Sequence, residues 1–123
     1  MPTIPQVVNI SIEEGTDYTL SLLWTDLSTN LPKNITSYTA LLQVRATYDL
    51  SSPTLIEKST ALANIILGGS TGTIDVLFTH ADTLNLLWSK AMYDLLLTSP
   101  GGVITKLVKG EFIVGQTVSI LPP

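Results

Sequence analysis

The sequence predicts an all-β fold: an antiparallel β-sandwich of seven or eight strands, with one short helix over residues 80–89. Three observations predict it. Apolar and polar residues alternate with a period of two through most of the chain, the pattern of strands buried on one face. Turn-forming clusters interrupt that alternation about every ten residues, as in small sandwiches. No strand–helix–strand unit has the spacing of a parallel crossover, and the turns at 68–72 and 99–102 suit antiparallel hairpins.

The elements follow in order. Val8, Ile10 and Ile12 alternate with Asn9, Ser11 and Glu13, and Glu14-Gly15-Thr16-Asp17 turns the chain. Tyr18, Leu20, Leu22 and Trp24 then face one way, and Thr19, Ser21, Leu23 and Thr25 the other. Residues 26–34, with Pro32 among them, read as a polar loop. Over 36–47, Tyr38, Ala40, Leu42, Val44 and Ala46 form one face, and Leu41, Gln43, Arg45 and Thr47 the opposite one. A second loop covers 49–53, residues 55–60 read as a short solvated strand, and 61–67 as another strand. Gly68-Gly69-Ser70-Thr71-Gly72 connects to a strand over 73–79 with Ile74, Val76 and Phe78 inward.

For the helix, Thr79 can cap the start, Asp82 suits the first turn, and Leu84, Leu87 and Trp88 lie about one turn apart. Ala91, Tyr93, Leu95 and Leu97 alternate up to the turn Ser99-Pro100-Gly101-Gly102. A long strand over 103–114 follows, with Gly110 marking a bulge or a close backbone approach. The inward positions give a predicted core of Tyr18, Leu20, Leu22, Trp24, Leu42, Val44, Ile74, Val76, Phe78, Tyr93 and Leu95. Tyr93 follows a helical turn between two strands, as in the tyrosine corner of Greek-key sandwiches.

Composition bounds the function. The 123 residues are enough for one two-layer core, so 1–123 reads as a single domain. With no cysteine, disulfides, thiol catalysis and Cys-based metal clusters are excluded. Only 13% of residues are charged, against about a quarter in an ordinary domain, and the mean hydropathy is +0.38. Yet no run of about 18 apolar residues could cross a membrane, and Met-Pro-Thr-Ile-Pro lacks the basic start of a signal peptide. A charge-poor, apolar chain without a membrane span covers its surface with partners. Net charge −4 with scattered Lys and Arg argues against nucleic acid.

Residues with chemical potential are few, and no cofactor is expected. His80 is the single histidine; beside a turn and next to Thr79 and Asp82 it reads as a helix-start residue rather than a base. Glu13, Glu14 and Asp17 cluster at a turn without the spacing of a calcium loop, and Asp49, Asp75 and Asp94 read as sharing an edge. The glycine run at 68–72 lacks the Gly-Lys-Ser/Thr ending of a phosphate loop. Asn9-Ile10-Ser11 and Asn34-Ile35-Thr36 fit the glycosylation pattern but read as strand and loop residues. Trp24, Trp88 and Tyr93 lie on inward positions and read as core rather than as a sugar platform.

Five segments, in order, carry a resemblance: Glu14-Gly15-Thr16-Asp17-Tyr18-Thr19-Leu20, residues 36–45 ending in Leu42-Gln43-Val44-Arg45, Ala81-Asp82-Thr83, Met92-Tyr93-Asp94-Leu95 and Leu107-Val108-Lys109-Gly110-Glu111-Phe112. Together, over residues 13–118, they resemble the immunoglobulin-like N-terminal domain of upper baseplate proteins of tailed bacteriophages. Glu-Gly-Thr-Asp stands where that family has Gly-Asp-Thr, and these 123 residues read as the module without a receptor-binding domain. The resemblance implies an immunoglobulin-like fold, a virion location after synthesis in the bacterial host cytoplasm, virion proteins as partners, and no catalytic residues.

The function expected is therefore a non-enzymatic structural module of a tail or baseplate, homo-oligomeric within the particle. Alternatives are capsid decoration and, in another class, a glycan- or receptor-binding module. Leu23, Leu41, Leu77 and Leu96 oppose the core positions and are the expected assembly contacts. The apolar, proline-containing ends, 1–8 and 118–123, are expected to lie as arms on neighbouring subunits.

Overall fold

The computed structural model describes residues 5–47, 51–84, 86 and 88–116. The arm at 118–123, the first four residues of the arm at 1–8, and Tyr48, Asp49 and Leu87 lie outside the described residues. The chain forms β1 (Gln6–Val7), β2 (Ile10–Glu13), β3 (Tyr18–Leu23), β4 (Thr25–Asp26), β5 (Leu31–Pro32), β6 (Thr39–Arg45), β7 (Thr54–Ser59), β8 (Ile65–Leu67), β9 (Thr73–Phe78), α1 (His80–Thr83), β10 (Lys90–Thr98) and β11 (Ile104–Gly115).

Two sheets enclose the core. The larger has the order β1-β11-β10-β6-β7, with β2 also on β11, and the smaller has the order β3-β9-β8. This is the immunoglobulin-like arrangement with an added strand, β7, extending the larger sheet beyond β6, as in variable-type domains. One end of the sandwich, here the lower, carries the β2–β3 turn and α1. The upper end carries the β4–β5 hairpin, the 68–72 turn and the 99–103 turn, with Trp24 N–H on Gly72 O and Ile35 N–H on Gly69 O.

The sandwich is mixed rather than wholly antiparallel. Both β1 and β2 run parallel to β11, in one register: Gln6 opposite Val108 and Ile10 opposite Phe112. Alternation records which face a residue takes and not the direction of its partner strand, so the pattern could not reveal this. At Val8 and Asn9 the ladder is interrupted. The Val8 carbonyl leaves the sheet edge and accepts a hydrogen bond from the Tyr93 hydroxyl, while Asn9 Oδ1 accepts from Glu111 N at 3.0 Å. Tyr93 thus ties the first strands to the larger sheet.

Core burial follows the alternation. Leu20, Leu42, Val44, Ile74, Val76, Phe78, Tyr93 and Leu95 are buried, whereas Tyr18, Leu22 and Trp24 are half-buried and pack against the core from its edge. Those three lie on or just after β3, an edge strand, so their inward faces have no neighbouring strand on one side. Phe112 lies at the centre, with ring centroids of Phe78, Trp88 and Tyr93 at 5.4, 5.7 and 6.5 Å. Ile10, Ile12, Ile35, Ala40, Ile56, Ile65, Ala91, Leu97, Leu107, Val108 and Val114 complete it.

Several elements differ from expectation. The helix is a single turn, His80–Thr83, and the chain after it is extended at Leu84. A capping box starts it, but the turn docks through Thr83 and no apolar stripe continues it. Residues 61–63 are a turn, with Ala63 at positive φ, and only Ile65–Leu67 of the predicted 61–67 strand is a strand. The 26–34 loop contains the small β4–β5 hairpin. In β11 the bulge residue is Leu107, between the pairs Leu95–Val108 and Leu96–Lys106, and Gly110 is the close approach. That bulge turns Leu107 and Val108 inward together.

Candidate functional site

At the lower end two of the five segments that carried the resemblance meet. Gly15, at φ 76°, makes a left-handed turn that its lack of a Cβ permits, and its N–H reaches Thr83 Oγ1 at 3.0 Å. The same hydroxyl donates to Thr16 O at 3.0 Å, and Thr83 is fully buried. Thr79 caps α1: its Oγ1 accepts from Asp82 N, and its own N–H donates to Asp82 Oδ2 at 2.8 Å. Two segments more than sixty residues apart are held together by one threonine.

Asp82 also reaches the sandwich edge. Lys58 on β7, read from the sequence as part of a solvated strand, is 3% exposed and donates to Asp82 Oδ2 at 2.5 Å. Its ammonium also sits 5.3 Å from the Phe78 ring centroid. Burial pushes the Asp82 carboxyl up, but the hydrogen bonds from Lys58 and Thr79 outweigh it and hold the group below its ordinary value. The available signal was parity: Lys58 shares the inward phase of Ile56, and Asp82 stands at the third helical position.

His80 is exposed. Asp17 Oδ1 accepts from its backbone N–H at 2.6 Å and lies 3.0 Å from its Nδ1. The backbone bond first, then the ring, holds the Asp17 carboxyl below its ordinary value. No hydroxyl is bonded to the ring among the described residues. The carboxylates do not converge. Asp17 turns to His80, Asp75 lies on the outer face of the smaller sheet, and Asp94 lies on the outer face of the larger, 3.4 Å from Lys106. The shared edge expected of Asp75 and Asp94 is therefore corrected; they occupy opposite sides of the sandwich. Among the described residues, no group of three or more His, Asp or Glu side chains is placed to hold a metal ion.

The four leucines expected as contacts also divide between two faces. Leu41 and Leu96 are direct cross-strand partners on the outer face of the larger sheet, and both are half-buried. Beside them a shallow depression is lined by Gln43, Arg45, Met92 and Asp94. Arg45 is engaged there, donating to Ser52 O and to Gln43 Oε1. Leu23 and Leu77 lie on the outer face of the smaller sheet, where Leu77 is half-buried and Leu23 is 59% exposed. They do not form one patch. The most exposed apolar residues include Leu31, Val103 and Ile104, which sequence alternation did not single out. Leu31 belongs to the β4–β5 hairpin, inside the stretch read as a loop, and Val103 and Ile104 to the turn and first residue of β11, at the upper end of the sandwich.

No family model matches the chain, and no curated protein is significantly similar to it. Among solved structures, it is similar to the extracellular domain of the voltage-gated sodium channel beta4 subunit, described as forming parallel homodimers with a role in cell–cell adhesion. The two are 12% identical, the match covers 96% of this chain and 98% of that one, and the TM-score is 0.46, too low to carry an argument about function.

Proposed function

We propose that this chain is a non-catalytic structural subunit of a tailed-bacteriophage particle, a tail or baseplate module that holds neighbouring subunits by protein–protein contacts. The observation that carries the reading is the meeting of two of the resemblance-bearing segments at the lower end. Glu14-Gly15-Thr16-Asp17 and Ala81-Asp82-Thr83 interlock through Thr83, so their pattern serves the fold. At the other end, Leu27, Leu31 and Val103 on the upper-end loops and Ile104 at the start of β11 are exposed and free for contact. A capsid-decorating role would use the same contacts.

A glycan-binding role is less well supported by the aromatics. Trp24 is half-buried, with Tyr38 edge-on at 6.1 Å and Lys33 5.4 Å from its ring centroid, so part of its surface is already covered. Mass spectrometry and gold-labelled antibody on purified particles test the proposal. Stoichiometric chain at the tail supports it, labelling of the shell supports decoration, and particles lacking the chain overturn both.

A further inference from the structure

Strand β3 is an undefended sheet edge. It pairs with β9 on one side, and no described strand pairs with it on the other. The other edges are blunted: β8 is three residues long, β1 two, and β7 carries Glu57 and Lys58. Over Tyr18-Thr19-Leu20-Ser21-Leu22-Leu23, β3 has no charge, no proline and no bulge. Such an edge is a template for another strand.

The register decides which backbone groups are free. Trp24 N–H bonds Gly72 O, so the even-numbered residues of β3 take the hydrogen-bonded positions against β9. The N–H and C=O groups of Thr19, Ser21 and Leu23 point to the open side. We propose that a second copy of this chain occupies the edge, its β3 pairing antiparallel with this one about a twofold axis at Ser21.

The pattern is self-complementary in that register. Ser21 faces its own copy, and Thr19 faces Leu23 of the partner subunit, each pair exchanging both backbone bonds. On the inner side, Leu20 meets Leu22 of the partner subunit and Tyr18 meets Trp24 of the partner subunit. Tyr18, Leu22 and Trp24 are the residues left half-buried at the core edge, and Leu23 is the exposed leucine of the outer face. Each of them gains an apolar or aliphatic neighbour. Within the paired segment no residue is charged, and Asp75 and its copy, on the neighbouring strands, stand about 14 Å apart across three strand spacings, beyond the screening length of about 8 Å. This pairing requires nothing of the particle reading and stands without it.

A chain without cysteine allows a direct test on the full-length protein. In a hydrogen-bonded antiparallel pair the facing Cα atoms are about 5.5 Å apart, within the roughly 4.4–6.8 Å that a disulfide spans. Under mild oxidation Ser21→Cys is expected to cross-link into a covalent dimer far faster than Thr73→Cys, a control one strand inward on the same face. Ser21→Pro removes an N–H that β9 does not use, and is expected to shift the sedimenting species from dimer to monomer with melting unchanged. A wild-type chain that sediments as a monomer overturns the proposal, whatever then covers the edge. So does a Ser21→Cys cross-linking rate no greater than that of the control. Since neither readout involves a particle, failure here leaves the proposed virion role standing, and the reverse holds too.

Discussion

Tyr93 and Gly110 stand directly opposite each other on β10 and β11, and the space left by the missing side chain of Gly110 is filled by the Val8 carbonyl to which the Tyr93 hydroxyl donates. Three distant parts of the chain therefore close on one hydrogen bond. The glycine gives room, the tyrosine supplies the donor, and Asn9 serves the N–H of Glu111 in place of a strand carbonyl.

Removing either partner should loosen the first strands. Tyr93→Phe leaves the Val8 carbonyl without this donor at a cost of about 1–3 kcal/mol. Gly110→Ala drives a methyl into that carbonyl and should cost at least as much. Hydrogen exchange is expected to show faster exchange at Ile10 and Ile12 in both variants, with β6 and β10 protected. Unchanged exchange in Gly110→Ala would contradict the close approach.

The Lys58–Asp82 pair makes stability depend on acid. The Asp82 carboxyl is held below its ordinary value of 3.8, so its contribution is complete above that pH and is lost as the pH falls below it. Asp82→Asn should flatten that acid dependence. At neutral pH it should cost about 2–3 kcal/mol, less than the roughly 3–5 of a fully buried pair, because the Asp82 side chain is 33% exposed. Denaturant melts from pH 7 to pH 3 check both. An unaltered acid limb in the variant would mean another carboxylate controls it.

Core position sets the rank of two aromatic truncations. Phe112→Ala removes the ring against which Phe78, Trp88 and Tyr93 pack and should cost about 3–5 kcal/mol. Trp24→Ala, at the half-buried edge, should cost about 2 kcal/mol, less than a fully buried tryptophan. Equilibrium unfolding of the two variants gives the order directly, and a larger loss at Trp24 would reverse the assignment of the core centre.

Thr83 offers the sharpest test of the lower end. Thr83→Val keeps the volume and deletes the buried hydroxyl that joins Gly15 to Thr16, at a cost of about 1 kcal/mol. His80→Ala, exposed and bound only to an exposed aspartate, should stay within about 0.5 kcal/mol of the parent. Thermal melting of the pair separates the buried staple from the surface contact.

Much of the fold was legible in the chain because inward and outward residues alternate cleanly. The phase of β6, β9 and β10 reads directly from Leu42, Val76 and Tyr93, and the two hairpin turns read from their glycines. Strand partners were not legible: nothing in Ile10-Ser11-Ile12 states that it lies beside Phe112 and runs the same way. Lys58 was misread because a lysine counts as solvent-facing until its acid partner is placed by the fold, and Asp82 lies 24 residues away. The division of Leu41 and Leu96 from Leu23 and Leu77 likewise needed the sheets to be assigned, since alternation gives a face but not which sheet owns it.

The pairing of β1 and β2 with β11 also dictates an order of events during synthesis. Ile10 and Ile12 find their strand partners only once Phe112 and Val114 have been made, so β2 must wait until β11 has been synthesised. Until then the nascent polypeptide carries these isoleucines uncovered, with the half-built larger sheet ending at β10. Contacts of such long sequence separation make folding slow, and they expose the chain to wrong pairings while it waits. The same feature makes completion all-or-none, because a chain stopped short of β11 lacks the strand to which β1, β2 and β10 all attach.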